Sequence, residues 1–527
     1  MEWILFVLIA IIGIVLYKFR TDSKKFENLI SKQNQEIENL RSQNLKLEEE
    51  LKVFTEIGSD SKQLNDTVSQ EERELHIAET LETIVEKGIA HTDLDSEQKY
   101  IFDLMTNSNK NLFVTGKAGT GKSYLLRLFV ELARKKTLVM APTGIAVLNA
   151  NGVTIHSVFG FHNLVNISID NLNEDTLRLK SENRKVLKNV ETILIDEISM
   201  VRSDVFQKMD KIMKLVNRCD LPFGGKQIIL FGDLYQLPPV VKRNESEYLK
   251  DNFRGKYFFN TEAYNEGKFE FYELSINHRQ KSDECFFDIL NGIREGKLSD
   301  EGLDKLNERS KFEPSELRRV IRILPLKNYV DRINKNELDK ISAPEYEFKS
   351  SIIYHKQNIT FDIENNMPIS ETLKLKLGAL VMMVTNDENH RWVNGTLGIV
   401  SSVSDTSVKV TINDREYEIS KATFEQQEAK YEDGEIKYET VCEVKQYPIV
   451  LAYAITIHKS QGMTYKRIAC DVSKCFESGQ AYVALSRCTT LNGLYLLEEI
   501  NANALKVDNE IVEFYKTQKQ SINKFIQ

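Results

Sequence analysis

From about residue 93 onwards the sequence predicts an α/β fold built on parallel sheets, and three observations carry that expectation. Short apolar runs of strand length alternate with longer segments of helical periodicity, the pattern of strands joined by helical crossovers. One such run, NLFVT at 111–115, opens directly into GKAGTGKS at 116–123 and then a helical stretch, SYLLRLFVELARK. Two more, ETILIDEIS at 191–199 and KQIILFGD at 226–233, end in acidic residues, where the strands of such sheets present functional side chains. Apolar residues make up 41% and charged residues 28%, ordinary globular usage that excludes a disordered or collagen-like chain. A length of 527 residues leaves room for several domains.

The elements ahead of this body come first in chain order. Residues 3–17 (WILFVLIAIIGIVLY) form an uncharged run of fifteen, slightly short of a full span but extendable by snorkelling Lys18 and Arg20. No basic n-region precedes it and no small-x-small site follows, so an uncleaved anchor over 1–20 is favoured over a signal peptide. Lys18, Arg20, Lys24 and Lys25 place the body on the cytoplasmic side, as at a bacterial inner membrane. A heptad run follows over 21–56. Ile30, Ile37, Asn44 and Leu51 take a positions, and Phe26, Gln33, Leu40, Leu47 and Phe54 take d. A lone Asn at a suits a parallel two-stranded coiled coil, hence a homodimer through 26–54; a solvated helix packed on its own body is the bland alternative. Residues 57–92 read as an acidic linker.

The net charge of −8 is unevenly placed. Residues 1–25 carry +2, residues 26–100 carry −10, and residues 101–527 balance to zero. The acidity belongs to the arm, so it does not argue against a nucleic-acid partner for the body. The six cysteines (Cys219, Cys285, Cys442, Cys470, Cys475, Cys488) are scattered and form no C-x-x-C pair, which suits reduced thiols better than a disulfide framework or a metal site.

The chemistry starts at 116–123. The pattern G-x-x-x-x-G-K-[ST], between a strand and a helix, is a loop whose backbone N–H groups wrap phosphates. Gly116, Ala118, Gly119, Thr120 and Gly121 form the cradle, Lys122 reaches the outer phosphate oxygens, and Ser123 offers a hydroxyl to Mg²⁺. ATP and Mg²⁺ are the implied cofactors. Asp196 and Glu197, at the end of a neighbouring strand, suit metal holding and water activation respectively, which points to hydrolysis beyond mere binding. Gln236, in GDLYQLPPV, offers a neutral amide that can sense the terminal phosphate. Arg279 in INHRQ and Arg487 in YVALSRC are later guanidinium groups of the kind that stabilise phosphoryl transfer from a second domain. Each arginine alone is more often a surface ion-pair partner.

These blocks, in this order, resemble the Pif (petite integration frequency) family, a RecD-like branch of superfamily-1B DNA helicases. The resemblance covers roughly 94–497: LDSEQ (94–98), APTGIAVLNANGVTIHSVFGF (141–161), ISMVRSDVFQKMDKIMKLVNR (198–218), PFGGKQIILFGDLYQLPPV, LKLGALVMMVTND with WVNGTLGIV, AYAITIHKSQGMTY (452–465) and YVALSRC (482–488). It implies two RecA-like P-loop NTPase domains. The first spans 93–272 and the second is split into 273–375 and 448–505. A small β-rich insert lies between, over 376–447, whose alternating TLGIVSSVSDTSVKVTINDREYEI suits an SH3-like barrel, and a C-terminal helix or tail covers 506–527. By the family pattern Gln98 contacts adenine, and Gly462 lies at the nucleotide. Thr143, His156, Ser157, Asn394, His458, Lys459 and Ser460 then become candidate DNA contacts. The implied activity is ATP-driven 5′→3′ translocation on single-stranded DNA and unwinding of forks, in repair, recombination or genome maintenance. His278, where the family more often carries an aromatic, and the anchored arm are departures. A membrane-anchored DNA-sensing ATPase that does not processively unwind, for example in host defence, is the alternative. A transporter-type or chromosome-type ATPase would need an LSGGQ-like signature, which the sequence lacks.

Overall fold

The computed structural model describes residues 94–526 apart from 162–167, 277–282 and 357–360. The expected anchor, coiled coil and linker over 1–92 therefore lie outside the described residues, as do His278 and Arg279. Among the described residues no helix is long and apolar enough to cross a membrane.

The first sheet contains β1 (Leu112–Gly116), β2 (Thr137–Ala141), β3 (Val153–Thr154), β4 (Thr192–Ile195), β5 (Gln227–Phe231) and β6 (Glu270–Leu274). All six are parallel, in the order β3-β2-β4-β5-β1-β6. Strands β1 and β5 are buried throughout because both faces of the sheet are covered. Alternation assigns the faces. Leu112 and Val114 pack with Ile101, Phe102 and Met105 of α1 (Ser96–Asn107) and with Leu125, Leu126 and Phe129 of α2 (Lys122–Leu132). Phe113, one residue out of phase, joins the opposite core with Phe206, Met209, Ile212 and Met213 of the helix Ser203–Asn217. The sequence placed the end of this domain at 272; the sixth strand carries it to Leu274.

The rest of the chain supplies α3 (Glu284–Glu295), β7 (Ile321–Leu324), β8 (Glu345–Lys349), β9 (Ser351–Tyr354), β10 (Thr372–Lys376), β11 (Leu380–Met383), β12 (Leu397–Val403), β13 (Val408–Ile412) and β14 (Arg415–Ile419). After these come β15 (Ala422–Glu432), β16 (Glu435–Gln446), β17 (Ile449–Leu451), β18 (Ala454–Thr456), β19 (Ile468–Cys470), α4 (Gln480–Leu485), β20 (Leu494–Leu496) and α5 (Asn509–Ile526). A second parallel sheet runs β18-β7-β19-β20, so it is assembled from strands on both sides of the insert.

The insert is antiparallel, with a five-stranded sheet in the order β14-β13-β12-β11-β17. Its strands extend beyond the expected 376–447. The pair β8–β10 begins at Glu345, β9 joins the β15–β16 hairpin, and β17 adds an edge after 447. The strand β8 (EYEFK) is mostly exposed, and such short polar alternation becomes a strand only when a distant partner pairs with it.

Two elements tie separate regions together. The long β15–β16 hairpin packs Ala429, Tyr431, Ile436 and Tyr438 against the first domain's core. Strand β3 pairs only with Met140 and Ala141 of β2, and the Val139 N–H beside it donates to the Tyr438 hydroxyl at 3.1 Å, which satisfies a buried donor. The helix α5 follows the second sheet in sequence but returns to the first. Ile511, Phe514 and Tyr515 lie against its core, and Phe514 stacks on Phe259 at a centroid distance of 4.3 Å.

Candidate functional site

Strands β1, β4 and β5 all end on one edge of the first sheet, so the loops that follow them share a crevice. Gly116 ends β1 where no side chain fits: a Cβ there would lie 2.7 Å from Thr120 Oγ1 and 2.8 Å from the Leu274 carbonyl. Gly119 and the buried Thr120 follow, and Gly121 caps α2, whose first residue is Lys122. The Lys122 ammonium donates to the Gly116 carbonyl at 2.6 Å and the Lys117 carbonyl at 3.1 Å. Burial lowers its pKa, opposed by the charges of Asp233, Glu197 and Asp196. Ser123 beside it is exposed. Gln98 is 2% exposed and fully engaged: its Nε2 donates to the Thr120 carbonyl at 3.3 Å, and its Oε1 accepts from the Asp95 N–H in a reciprocal cap of α1. The Gln98 side chain thus braces the phosphate loop from behind.

After β4, Asp196 Oδ1 accepts the Glu197 N–H at 2.9 Å. Glu197 sits at φ +51°, a left-handed conformation that costs a residue with a Cβ and persists where the surroundings impose it. Burial pushes Asp196 up to about 6, the Glu197 N–H opposing. Burial and the Asp196 charge together push Glu197 up to about 8, while Lys122 and Arg487 pull it back. Asp196, Glu197 and Lys122 therefore lie within one electrostatic neighbourhood, and Arg487 belongs to it.

Arg487 comes from the turn after α4 and is 2% exposed. Its Nε donates to the Val483 carbonyl at 2.8 Å, Nη2 to Ser486 Oγ at 2.8 Å, and Nη1 to the Met463 carbonyl at 3.3 Å. From the same helix, the Tyr482 hydroxyl accepts the Ala118 N–H at 3.2 Å, a direct contact between the second domain and the phosphate loop. Gln236, 8% exposed, accepts from Gln461 Nε2 at 3.4 Å across the same divide. Gly479 lies so close that a Cβ there would meet the Tyr235 and Gln236 carbonyls. Gly462 sits at φ +80° in the turn carrying Gln461. The structure thus gathers Lys122, Asp196, Glu197, Gln236 and Arg487 about one crevice.

The candidate DNA contacts follow the ends of β2, β3 and β18 and precede β12. Thr143 Oγ1 accepts the Ala146 N–H at 3.2 Å and caps the helix Gly144–Ala150. His156 is exposed and meets Phe161 edge-on, and Ser157 Oγ donates to the Thr154 carbonyl at 2.8 Å. Asn394 Oδ1 is a buried acceptor with no hydrogen-bond partner among the described residues. His458 is exposed and Lys459 half-buried. Ser460 departs from its expected role as a surface contact. It is 0% exposed and its hydroxyl donates to the Ile457 carbonyl at 2.8 Å, so it holds the turn that presents its neighbours.

Sequence reasoning passed over three groups here. Tyr482 lay inside a quoted motif without a role. Tyr515, on α5, shares a 2.7 Å hydrogen bond with Thr115 Oγ1, one residue before the loop, and no local pattern announces that pairing. Arg294 did leave a signal: it falls four residues after Leu290 on the apolar stripe Phe286, Ile289, Leu290, Ile293 of α3, where a charge is out of place.

Comparison with known proteins agrees with this geometry. Residues 93–303 match the PIF1-like helicase family. The chain is 35% identical over 435 residues to the ATP-dependent DNA helicase Pif1 of Bdellovibrio bacteriovorus, covering 80% of this chain and 92% of that one. It is similar to the crystal structure of Bacteroides sp Pif1 in complex with ADP-AlF4, with TM-score 0.73 and 36% identity over 81% of this chain and 97% of the other. Against Bacteroides Pif1 bound to ssDNA the TM-score is 0.59, at 36% identity over 82% and 98%.

Proposed function

The chain belongs to the PIF1-like helicase family, and from that premise we propose that its two parallel-sheet domains close on ATP and draw single-stranded DNA past them in the 5′→3′ direction. It is an enzyme that couples ATP hydrolysis to DNA unwinding. The observation that carries the motor reading is the meeting of Lys122, Asp196, Glu197 and Gln236 of the first domain with Tyr482, Gln461 and Arg487 of the second.

In this reading the loop amides and Lys122 hold the phosphates, and Gln98 keeps the loop in shape beside the adenine. An exposed hydroxyl at Ser123 and a carboxylate at Asp196 fit Mg²⁺, a hard cation commonly shared between one or two protein oxygens and phosphates, which neutralises phosphate charge when bound. Glu197, whose ionised form Lys122 and Arg487 favour, orients and deprotonates the attacking water. Arg487, with Arg279 as the second candidate, stabilises the charge that builds on the transferring phosphoryl group. Gln236 and Gln461 carry the change in phosphate state across the crevice. Thr143, His156, Ser157, Asn394, His458 and Lys459 grip the strand, chiefly through its phosphates.

The purified full chain is expected to hydrolyse ATP many-fold faster with single-stranded DNA, and to open a fork bearing a 5′ tail in preference to a 3′ tail. DNA affinity should fall steeply between low and moderate salt, as phosphate-dominated grips require. ATPase turnover indifferent to DNA would favour the sensing or scaffold reading instead.

The apolar run 3–17 supports tethering to a membrane with the body cytoplasmic, and the heptads over 26–54 support a parallel dimer. The full chain should then resist alkaline extraction from bacterial membranes, and deletion of 1–20 should release it. Full extraction of the intact chain would end the tether reading. Repair, recombination and genome maintenance are the roles such a motor serves.

A further inference from the structure

Among the described residues Arg294 is the most deeply buried arginine, 1% exposed. It leaves α3, whose Phe286, Ile289, Leu290 and Ile293 pack in the second domain's core, yet its charge partners belong to the first domain. Its Nη2 lies 3.1 Å from Asp233 Oδ1 and its Nε 3.3 Å from Asp233 Oδ2, a two-pronged grip that leaves neither oxygen free of it. Nη2 also reaches Glu273 Oε1 at 3.2 Å. Above the guanidinium lie the rings of Tyr235 at 4.5 Å and Tyr515 at 5.5 Å. Tyr515 in turn bonds Thr115 at the foot of the phosphate loop.

A buried ion pair is a poor route to stability, since an apolar residue of similar size often serves as well or better. What this pair does is local. Asp233, 0% exposed, follows β5 and its charge is the largest acting on Lys122. Released from Arg294, a buried Asp233 carboxylate would be left seeking a cation; the Gly232 N–H next to it donates to the Val114 carbonyl at 3.3 Å, which sets Asp233 beside the strand whose loop carries Lys122. In the structure Lys122 instead donates to the Gly116 and Lys117 carbonyls at the loop.

We propose that Arg294 is a positioning residue for ATP: by occupying both oxygens of Asp233 it keeps that carboxylate from capturing Lys122. The lysine is then free for phosphate only while α3 is seated against the first sheet, which makes ATP affinity a function of how the two domains dock. The proposal rests on the reading of 116–123 as the ATP site.

The test uses the full chain, titrated with a fluorescent ATP analogue and assayed for ATPase turnover. Arg294→Gln should raise KM for ATP and weaken analogue binding by about tenfold or more, with a smaller fall in kcat. The double variant Arg294→Gln with Asp233→Asn should recover most of that loss, because the stranded carboxylate is gone. A role confined to packing predicts the reverse, with the double variant no better than the single. Arg294→Lys, which keeps the charge and loses the fork, should fall between; if Arg294→Gln does not fold, Arg294→Lys with and without Asp233→Asn gives the same comparison. An Arg294→Gln KM within about twofold of wild type, or no recovery in the double variant, overturns the proposal. A Lys122→Ala chain that binds the analogue normally would instead overturn the ATP-site reading beneath it.

Discussion

Glu197→Gln should abolish ATP turnover and DNA unwinding while leaving nucleotide affinity close to wild type. The amide keeps the shape of the side chain and leaves the loop, Lys122 and Asp196 in place, but cannot accept the proton of the attacking water. Loss of a positioned base is worth about 10²–10⁴-fold in rate. Steady-state hydrolysis beside fluorescent-analogue binding separates the two effects, and a parallel loss of affinity would mean that Glu197 holds the nucleotide and does not act as the base. The same substitution has a stability signature in the nucleotide-free protein. Glu197 is raised to about 8 when folded, above its ordinary 4.5, chiefly by burial. The folded chain therefore holds that proton when the unfolded chain has lost it, so stability is fully present below pH 4.5 and drains as pH rises through 8. Asp196 acts in the same direction as pH rises through about 6. Glu197→Gln should accordingly raise Tm relative to wild type at pH 9 and lose that advantage towards pH 5; a constant difference across the range would contradict the assignment.

Lys122→Ala should cost both binding and turnover, in contrast to Glu197→Gln. The ammonium feels the charges of Asp233, Glu197 and Asp196, and it stands at the loop whose amides face the phosphates. Its removal takes away phosphate attraction and leaves Asp196 and Glu197 with less positive charge to offset them. Loss of a donor aimed at developing phosphate charge typically costs about 10²–10³-fold in kcat, and here KM for ATP should rise as well. Single-turnover assays at saturating ATP, with analogue titrations, read the two contributions. Wild-type affinity in this variant would overturn the reading of 116–123 as the ATP site.

Much of this site is legible in the sequence. The segment 116–123, the acidic pair 196–197 and the loop around Gln236 are each short continuous stretches, and each performs its task through backbone that neighbouring residues shape: a glycine where a Cβ would strike Thr120, a carboxylate just past the end of a buried strand. Such chemistry is written in spacing. The strands β8 and β10 were not legible, because EYEFK and TLKLK acquire strand character by pairing with each other across the sequence between them. Ser460 misled for a related reason: its motif position suggested a surface, and only the packing around it shows the hydroxyl turned to Ile457.

The order of motifs, the alternation of strands and helices, and the residue types able to bind phosphate and split it were determined by the sequence itself, since each depends on periodicity or on neighbours a few bonds away. The tertiary structure alone decided that Tyr482 meets Ala118, that Tyr515 meets Thr115, and that Arg294 crosses from one domain to hold Asp233 in the other. Those partners are 364, 400 and 61 positions apart. No local propensity records such a pairing; it exists only once the buried faces of both sheets have closed and forced the remaining polar groups to find one another.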